Sequence, residues 1–157
     1  MGQPPENLNI NTIPFMDNPL VVIASPRHPL ALQNEIATVN QLLEHGFVVR
    51  ESGSGTRLAM ERFFIEHNRV LNTNMEMNSN DAIKQSVETG LGLGVASIHT
   101  LEHELKEGRL KIIDAEGFPL RRSWYLVQRK DKRLSPLAEK FRDYVLEQAS
   151  KIQLTIY

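Results

Sequence analysis

The chain contains no cysteine. Disulfide scaffolds, cysteine nucleophiles and thiolate zinc sites are therefore excluded. It also lacks an excess of charge of either sign, because 18 Lys and Arg residues face 19 Asp and Glu residues and leave a formal net charge of −1. The basic surface that is typical of a nucleic-acid-binding domain is thus missing from this sequence.

Long hydrophobic runs are absent as well. No apolar stretch reaches the ~18 residues that a membrane helix needs. The first residues, MGQPPENLNI, have neither the basic start nor the apolar centre of a secretory signal. These absences favour a cytoplasmic location and no membrane partner. The 157 residues are 41% apolar, which is enough for a hydrophobic core in one domain or two small lobes.

Six short apolar segments predict β-strands, with helical patterns between them. The segments are Leu20–Ala24, Phe47–Arg50, Asn74–Met77, Leu91–Ala96, Leu110–Ile113 and Trp124–Arg129. Two of them, LVVIA and FVV, are apolar at every position, which indicates strands that are covered on both faces. The alternation of strands and helices predicts an α/β fold with mostly parallel sheets, because parallel strands need crossover connections.

Capping signals mark where the helices begin. Thr38 and Gln41 match a capping box, and the other predicted caps are Asn80, Ser97 and Ser135. A further helix is expected from about Thr56 to His67. The last helix carries an apolar face that includes Leu137, Phe141 and Tyr144.

Two stretches rich in turn residues predict connections between lobes. They are SPRHPL at Ser25–Leu30 and DAEGFPLRR at Asp114–Arg122. They bracket a middle segment of about 85 residues. This arrangement predicts one lobe inserted in the chain and a second, smaller lobe formed by the two chain ends.

The segment RESGSGTR, Arg50–Arg57, predicts ligand contacts, because a strand runs into a Gly/Ser loop and then into a helix. Ligands of open α/β sheets bind beyond the carboxyl ends of strands, and a helix N-terminus favours an anion. The hydroxyls of Ser52, Ser54 and Thr56 add donors, and Arg57 and Arg50 add positive charge nearby. An ordinary flexible turn is the alternative. A nucleotide P-loop is excluded because the Gly-Lys-Ser/Thr ending is absent.

Two histidines raise an enzymatic alternative. His99 and His103 match the H-x-x-E-H pattern of one zinc-peptidase group, and Glu139 is a possible third ligand. The other interpretation places both histidines at exposed positions beside an apolar stripe. A metal-dependent hydrolase, or a transferase on a similar α/β fold, is therefore the alternative function.

The longest motifs resemble one family. NPLVVIASPRHPLA, FVVRESGSGTRLAMERFF, NDAIKQSVETGLGLGVAS, GFPLRRSWYLVQR and LSPLAEKFRDYV are similar to the effector-binding domain of LysR-type transcriptional regulators, above all to the CbbR-like subgroup. The resemblance extends to about Gln148 and implies a periplasmic-binding-protein-like (type 2) fold of two lobes. Lobe two would be 29–115, lobe one a remnant formed by 1–28 and 116–150, and 151–157 a C-terminal tail.

The resemblance also implies a binding function without catalysis. Its effector contacts fall on Glu51, Ser52, Gly53, Ser54, Gly55 and Thr56, near Asn80, and near Val95, Ala96 and Ser97. Asn80 and Ser97 have the alternative role of helix caps. The implied effector is a small anionic metabolite such as a sugar phosphate or NADPH, with no resident cofactor or metal. The family's DNA-binding domain and the start of lobe one have no counterpart here. We therefore expect DNA contact only through a domain outside this chain, and a homo-oligomer formed through lobe one.

Overall fold

The protein was studied as a computed structural model that describes residues 8–149 and residue 151. The chain forms two compact units. The larger unit contains residues Pro19–Arg121, and the smaller unit combines the residues up to Asn18 with those from Arg122 onward. The predicted lobe boundaries at 28/29 and 115/116 thus lie away from the observed ones. The predicted tail 151–157 lies outside the described residues except for Lys151.

Strands and helices alternate through most of the chain. In order they are β1 (Ile10–Asp17), β2 (Leu20–Ala24), α1 (Pro29–Leu32), α2 (Val39–His45), β3 (Phe47–Arg50), α3 (Gly55–Glu66), β4 (Thr73–Met77), α4 (Asn80–Glu88), β5 (Gly94–Ser97), a 3₁₀ helix (Ile98–Thr100), α5 (Glu102–Lys106), β6 (Lys111–Ile113), β7 (Ser123–Arg129) and α6 (Pro136–Ala149). Within the described part of the chain, no helix has both the length and the apolar character needed to cross a membrane.

The larger unit is organised around β2. This strand lies between β5 and β6 and is antiparallel to both. A second sheet pairs β3 with β4 in parallel, and a parallel bridge joins Phe47 to Leu93 just before β5. The α/β class is confirmed, but the expectation of mostly parallel sheets is wrong. Burial of both faces, which LVVIA indicated correctly, does not determine the direction of the neighbouring strands.

The position of β2 also explains the shifted boundary. The sequence analysis assigned Leu20–Ala24 to the smaller lobe, whereas all five residues are buried in the larger unit. Their backbone pairs with β5 and β6, so this strand is the centre of a sheet and not a connection.

Aromatic packing completes the core of the larger unit. The ring centroids of Phe47 and Phe64 lie 5.6 Å apart, and Phe63 contacts both Phe64 and Phe118. Gly117 lies against Phe63 so closely that a Cβ atom at this position would be 2.4 Å from Phe63 Cε2. The backbone at Gly117 has φ +76°, which also favours glycine.

The smaller unit consists of an antiparallel ladder between β1 and β7, together with α6. β1 was not predicted, because Pro14 interrupts the run INTIPFMD and proline is unfavourable in most strands. The predicted helix after Ser135 is confirmed, and Ser135 Oγ accepts a hydrogen bond from Ala138 N–H at 3.3 Å. Its residues Leu137, Phe141 and Tyr144 are exposed.

Candidate functional site

Three strand ends of the larger unit lie at one edge of its sheets. β3 and β4 are parallel, and Arg50 pairs with Met77 at their carboxyl ends. The bridge between Phe47 and Leu93 has the same direction, so the chain that continues into β5 runs parallel to β3. Because carboxyl ends of parallel strands lie at the same edge, the segments that begin α3 and α4 and the end of β5 form one site.

The loop before α3 is a tight turn. Ser54 N–H donates to the carbonyl oxygen of Glu51 at 3.1 Å, and Gly53 has φ +85° at the third position of this turn. A positive φ at that position is the requirement of a type II turn, which explains the glycine. The Gly/Ser loop is therefore a defined turn that leads into α3, and not the ordinary flexible turn of the alternative interpretation.

The start of α3 has free hydrogen-bond donors. Ser54 is the N-cap, but its side chain makes no capping hydrogen bond. The first helical bond runs from Leu58 N–H to Ser54 O at 2.9 Å. The described residues thus supply no acceptor for the N–H groups of Gly55, Thr56 and Arg57. These donors, together with the helix dipole, favour an anion at this position.

The start of α4 differs from the prediction. Ser79, and not Asn80, is the N-cap, and its Oγ accepts a hydrogen bond from Ala82 N–H at 3.1 Å. A serine one position earlier satisfies the same N–H groups, so the Asn80 side chain has another role. Its Oδ1 accepts a hydrogen bond of 2.6 Å from Arg50 Nη1.

Arg50, which the sequence marked as nearby positive charge but not as an individual effector contact, lies at the centre of this edge. Its Nε and Nη2 atoms donate to the two carboxylate oxygens of Glu51 at 2.7 and 2.8 Å. These hydrogen bonds lower the pKa of Glu51 and raise that of Arg50. The sequence signal that could have found Arg50 is its place as the last residue of a buried strand before a Gly/Ser loop.

Arg57 is held by carboxylates. Its Nε donates to Glu61 at 2.7 Å, and its Nη1 donates to Glu76 at 2.8 Å. The same Nη1 lies 3.2 Å from the carbonyl oxygen of Arg50. The side chain is 19% exposed and links α3 to β4, so its charge is balanced before any ligand arrives.

The residues at the end of β5 are buried. Val95 and Ala96 are buried strand residues that pair with β2, so their side chains belong to the core. Ser97 is also buried, and its carbonyl oxygen accepts a hydrogen bond from Thr100 Oγ1 at 2.8 Å. Ser97 begins the 3₁₀ helix without a side-chain capping bond, which differs from the predicted capping role.

Lys84 connects α4 to the segment after β5. Its Nζ lies 2.8 Å from Glu104 Oε1 and 3.1 Å from Asp81 Oδ1, and it donates to the carbonyl oxygen of Thr100 at 3.2 Å. Burial disfavours the charged amine, but the bonds to Glu104 and Asp81 outweigh burial and raise the pKa of Lys84. The start of α4 and the 3₁₀ helix are thereby fixed to each other.

The metal site considered as the enzymatic alternative does not have the geometry that it requires. His99 lies in the 3₁₀ helix and His103 in α5, with Leu101 between the two elements, so they do not share one helix face. Glu139 belongs to the smaller unit. Across residues 8–149 and 151, no group of three or more His, Asp and Glu side chains could hold a metal ion.

Comparison with known proteins identifies the family of the chain. The family described as "LysR substrate binding domain" matches residues 1–150. The chain belongs to this family. The predicted resemblance is thereby confirmed, and this LysR domain has the mixed α/β sheets of its structural neighbours.

Two curated relatives are transcriptional regulators. The LysR domain is 54% identical over 152 residues to a RuBisCO operon transcriptional regulator of Allochromatium vinosum, covering 97% of this chain and 50% of that protein. It is 47% identical over 145 residues to the HTH-type transcriptional activator CmpR of Synechocystis, covering 92% and 47%. The chain thus spans about half the length of these relatives.

Solved structures give a similar result. The regulatory domain of Synechocystis CcmR, in complex with 2-PG (2-phosphoglycolate), is 39% identical, with a TM-score of 0.89 over 97% of this chain and 73% of that one. The effector-binding domain of QuiR in complex with shikimate is 22% identical with a TM-score of 0.80, over 96% and 70%. The second similarity shows the fold alone.

Proposed function

We propose that this LysR domain binds a small phosphorylated organic acid, and that 2-phosphoglycolate is the first candidate. The observation that carries the proposal is the set of unpaired N–H donors at the start of α3, next to Arg50 and Asn80. The related CcmR regulatory domain was solved in complex with this ligand, which supports the choice.

The ligand chemistry follows from the donors. A phosphoryl group presents several anionic oxygens, and backbone N–H groups at a helix N-terminus are well suited to bind them. In the proposed complex the N–H groups of Gly55 and Thr56 bind the phosphoryl oxygens. The hydroxyls of Ser52, Ser54 and Thr56 add hydrogen bonds, and Arg50 offsets the negative charge that Glu51 would otherwise present to the ligand.

The function of the longer protein is also part of the proposal. Its relatives are regulators, so we infer that effector binding here changes transcription and that the domain itself catalyses no reaction. DNA would be contacted through a domain outside this chain, in the cytoplasm, by a homo-oligomer. Regulation then requires that the effector bind two conformations of the regulator with different affinity.

Titration of ¹⁵N-labelled protein with 2-phosphoglycolate tests the proposed site. We expect the amide signals of Gly55, Thr56 and Asn80 to shift in a saturable way, and calorimetry to give the same affinity. Glycolate, which lacks the phosphoryl group, should bind much more weakly. A sugar phosphate and NADPH serve as competing candidates, and tighter binding of either would replace 2-phosphoglycolate as the effector.

Two threonine variants provide a matched comparison. Thr56→Val removes a hydroxyl at the proposed site, and we expect the dissociation constant to rise about threefold to tenfold, the usual effect of one hydrogen bond. Thr73→Val removes an exposed hydroxyl in β4 and should leave the affinity unchanged. If no anion of the panel shifts the amides at 51–56, the proposed site is wrong.

A further inference from the structure

A cavity lies in the larger unit, at the other end of α3 from the anion donors. Its volume is about 460 Å³, within the range of small-molecule pockets. One wall is the carboxyl-terminal half of α3, and the other is the segment from Gly117 to Arg121. The residues that line it include Arg62, Phe63, Glu66, His67, Leu120 and Arg121.

The aromatic wall of this cavity is fixed in place. The Phe63 ring lies 4.8 Å from Phe118 and 4.3 Å from His67, measured between ring centroids. Gly117 presses against its edge, since an added Cβ would lie 2.4 Å from Cε2. A ring that is held on three sides offers a preformed apolar surface to a ligand.

The cavity also carries unused positive charge. Arg50, Arg57 and Arg109 all bind carboxylates. By contrast, Arg62 and Arg121 have no hydrogen bond or ion pair with any residue that the structure describes. Glu66 follows Arg62 by one helical turn, and within the same described residues the two do not pair.

His67 gives the cavity a further polar group. Its Nδ1 atom lies 2.8 Å from the carbonyl oxygen of Phe63. A carbonyl oxygen only accepts hydrogen bonds, so Nδ1 carries the hydrogen and donates.

We propose that this cavity is a second ligand site, which binds a small organic carboxylate with an aromatic or branched apolar body. The carboxylate binds Arg62 and Arg121, and its charge together with that of Glu66 balances the two guanidinium groups. The apolar body packs on Phe63 and Leu120. A bare inorganic anion would leave the apolar wall in water, and an uncharged ligand would leave both guanidinium groups without a partner. The combination of the two features selects an amphipathic acid.

Benzoate is the probe for this proposal, and benzamide is its uncharged counterpart. In a titration of ¹⁵N-labelled protein, benzoate should shift the amide signals of Phe63, His67 and Leu120 at millimolar concentration. Benzamide should bind at least about tenfold more weakly, because it lacks the charge that the arginines recognise. Shifts of equal size with benzamide would overturn the role of the arginines.

Substitution of the two arginines separates this site from the anion site at α3. In Arg62→Gln/Arg121→Gln we expect the dissociation constant of benzoate to rise about tenfold or more, with 2-phosphoglycolate binding unchanged. Arg133→Gln alters an exposed arginine of the smaller unit and is the matched control. Unaltered benzoate affinity in the double variant, or shifts confined to 51–56, would show that the cavity is not a carboxylate site.

Discussion

Arg50 and Asn80 are joined by a hydrogen bond of 2.6 Å between Nη1 and Oδ1. The same guanidinium holds both carboxylate oxygens of Glu51. One side chain thus connects the end of β3 to the start of α4, at the edge where we propose that the effector binds.

Substitution of Arg50 tests this connection. Arg50→Gln removes the positive charge, leaves Glu51 without its partner and frees Asn80. We expect the dissociation constant for 2-phosphoglycolate to rise about tenfold to a hundredfold, the usual cost of losing a hydrogen bond to a charged group. Calorimetry measures the change, with Arg129→Gln, an exposed arginine in β7, as the control. Equal affinity in Arg50→Gln would place the effector elsewhere.

The turn before α3 predicts opposite effects for two neighbouring glycines. Gly53 has φ +85°, so Gly53→Ala should lower the free energy of unfolding by about 1–2 kcal/mol and weaken effector binding. Gly55 begins α3 without a positive φ, so Gly55→Ala should be neutral or raise stability by up to about 1 kcal/mol. Urea unfolding distinguishes the two, and equal losses in both variants would contradict the type II turn.

Substitution of Arg57 should lower the stability of the fold. In Arg57→Glu a third carboxylate meets Glu61 and Glu76, and the bond to the Arg50 carbonyl is lost. We expect the free energy of unfolding to fall by about 1–3 kcal/mol, because charge-assisted hydrogen bonds at a mostly buried side chain are replaced by repulsion. Arg57→Gln, which adds no repulsion, should lose less. An unchanged thermal midpoint in Arg57→Glu would show that these bonds contribute nothing to stability.

The titration of His28 should make the free energy of unfolding depend on pH. Its Nδ1 accepts a hydrogen bond from Leu30 N–H at 3.2 Å and caps α1, and the His45 ring lies 4.4 Å away. Burial, and secondarily the charge of His45, lower the pKa of His28 below its ordinary 6.5. The unfolded chain therefore binds the proton first as pH falls. The contribution of the cap is complete above pH 6.5 and is lost as pH falls through the lowered pKa.

An asparagine variant isolates this effect. Asn is a good helix cap that does not titrate. His28→Asn should therefore keep the stabilising cap of α1 but lose the pH dependence of stability that the titration of His28 causes. The expected size is about 0.5–2 kcal/mol, the usual value of a cap. Denaturant titrations between about pH 5 and pH 8 measure it. Parallel pH profiles for the two proteins would mean that His28 is not the titrating group.

The exposed face of α6 predicts self-association. Leu137, Phe141 and Tyr144 are 78%, 64% and 59% exposed and follow helical spacing. We expect sedimentation at tens of micromolar to show a dimer or larger species, and Phe141→Glu to shift it toward the 17.9 kDa monomer. Glu139→Gln, on the other side of the helix, should have no effect. A wild-type protein that sediments only as a monomer would refute this prediction.

Local elements were predicted well because their signals are local. The bounds of β2 and β3 agree with the apolar runs, and the capping box of Thr38 and Gln41 forms as expected, with Gln41 Oε1 2.8 Å from Thr38 N. The sequence does not show whether a strand runs parallel or antiparallel to partner strands that are distant in the chain. Val22 pairs with Val95 and Ile113, and no pattern within LVVIA distinguishes antiparallel from parallel neighbours.

The candidate site shows the same limit at the level of side chains. The Gly/Ser loop and its helix were recognisable from RESGSGTR. The partner of each charge was not, because Arg57 meets Glu76 and Arg50 meets Asn80 only after β3 and β4 have paired. The N-cap of α4 could not be predicted for the same reason. Ser79 and Asn80 are both good caps, and only the folded backbone shows that Ser79 has the N-cap position.

The central place of β2 has a consequence for biosynthesis. Val22 leaves the ribosome about 90 residues before Ile113, its partner in β6. At the usual rates of translation this delay is roughly 5–20 s. The other neighbour, β5, is made only shortly before β6. For most of the delay the uncharged segment LVVIA therefore has no strand on either side, and an unpaired apolar strand of this kind favours chaperone binding and aggregation.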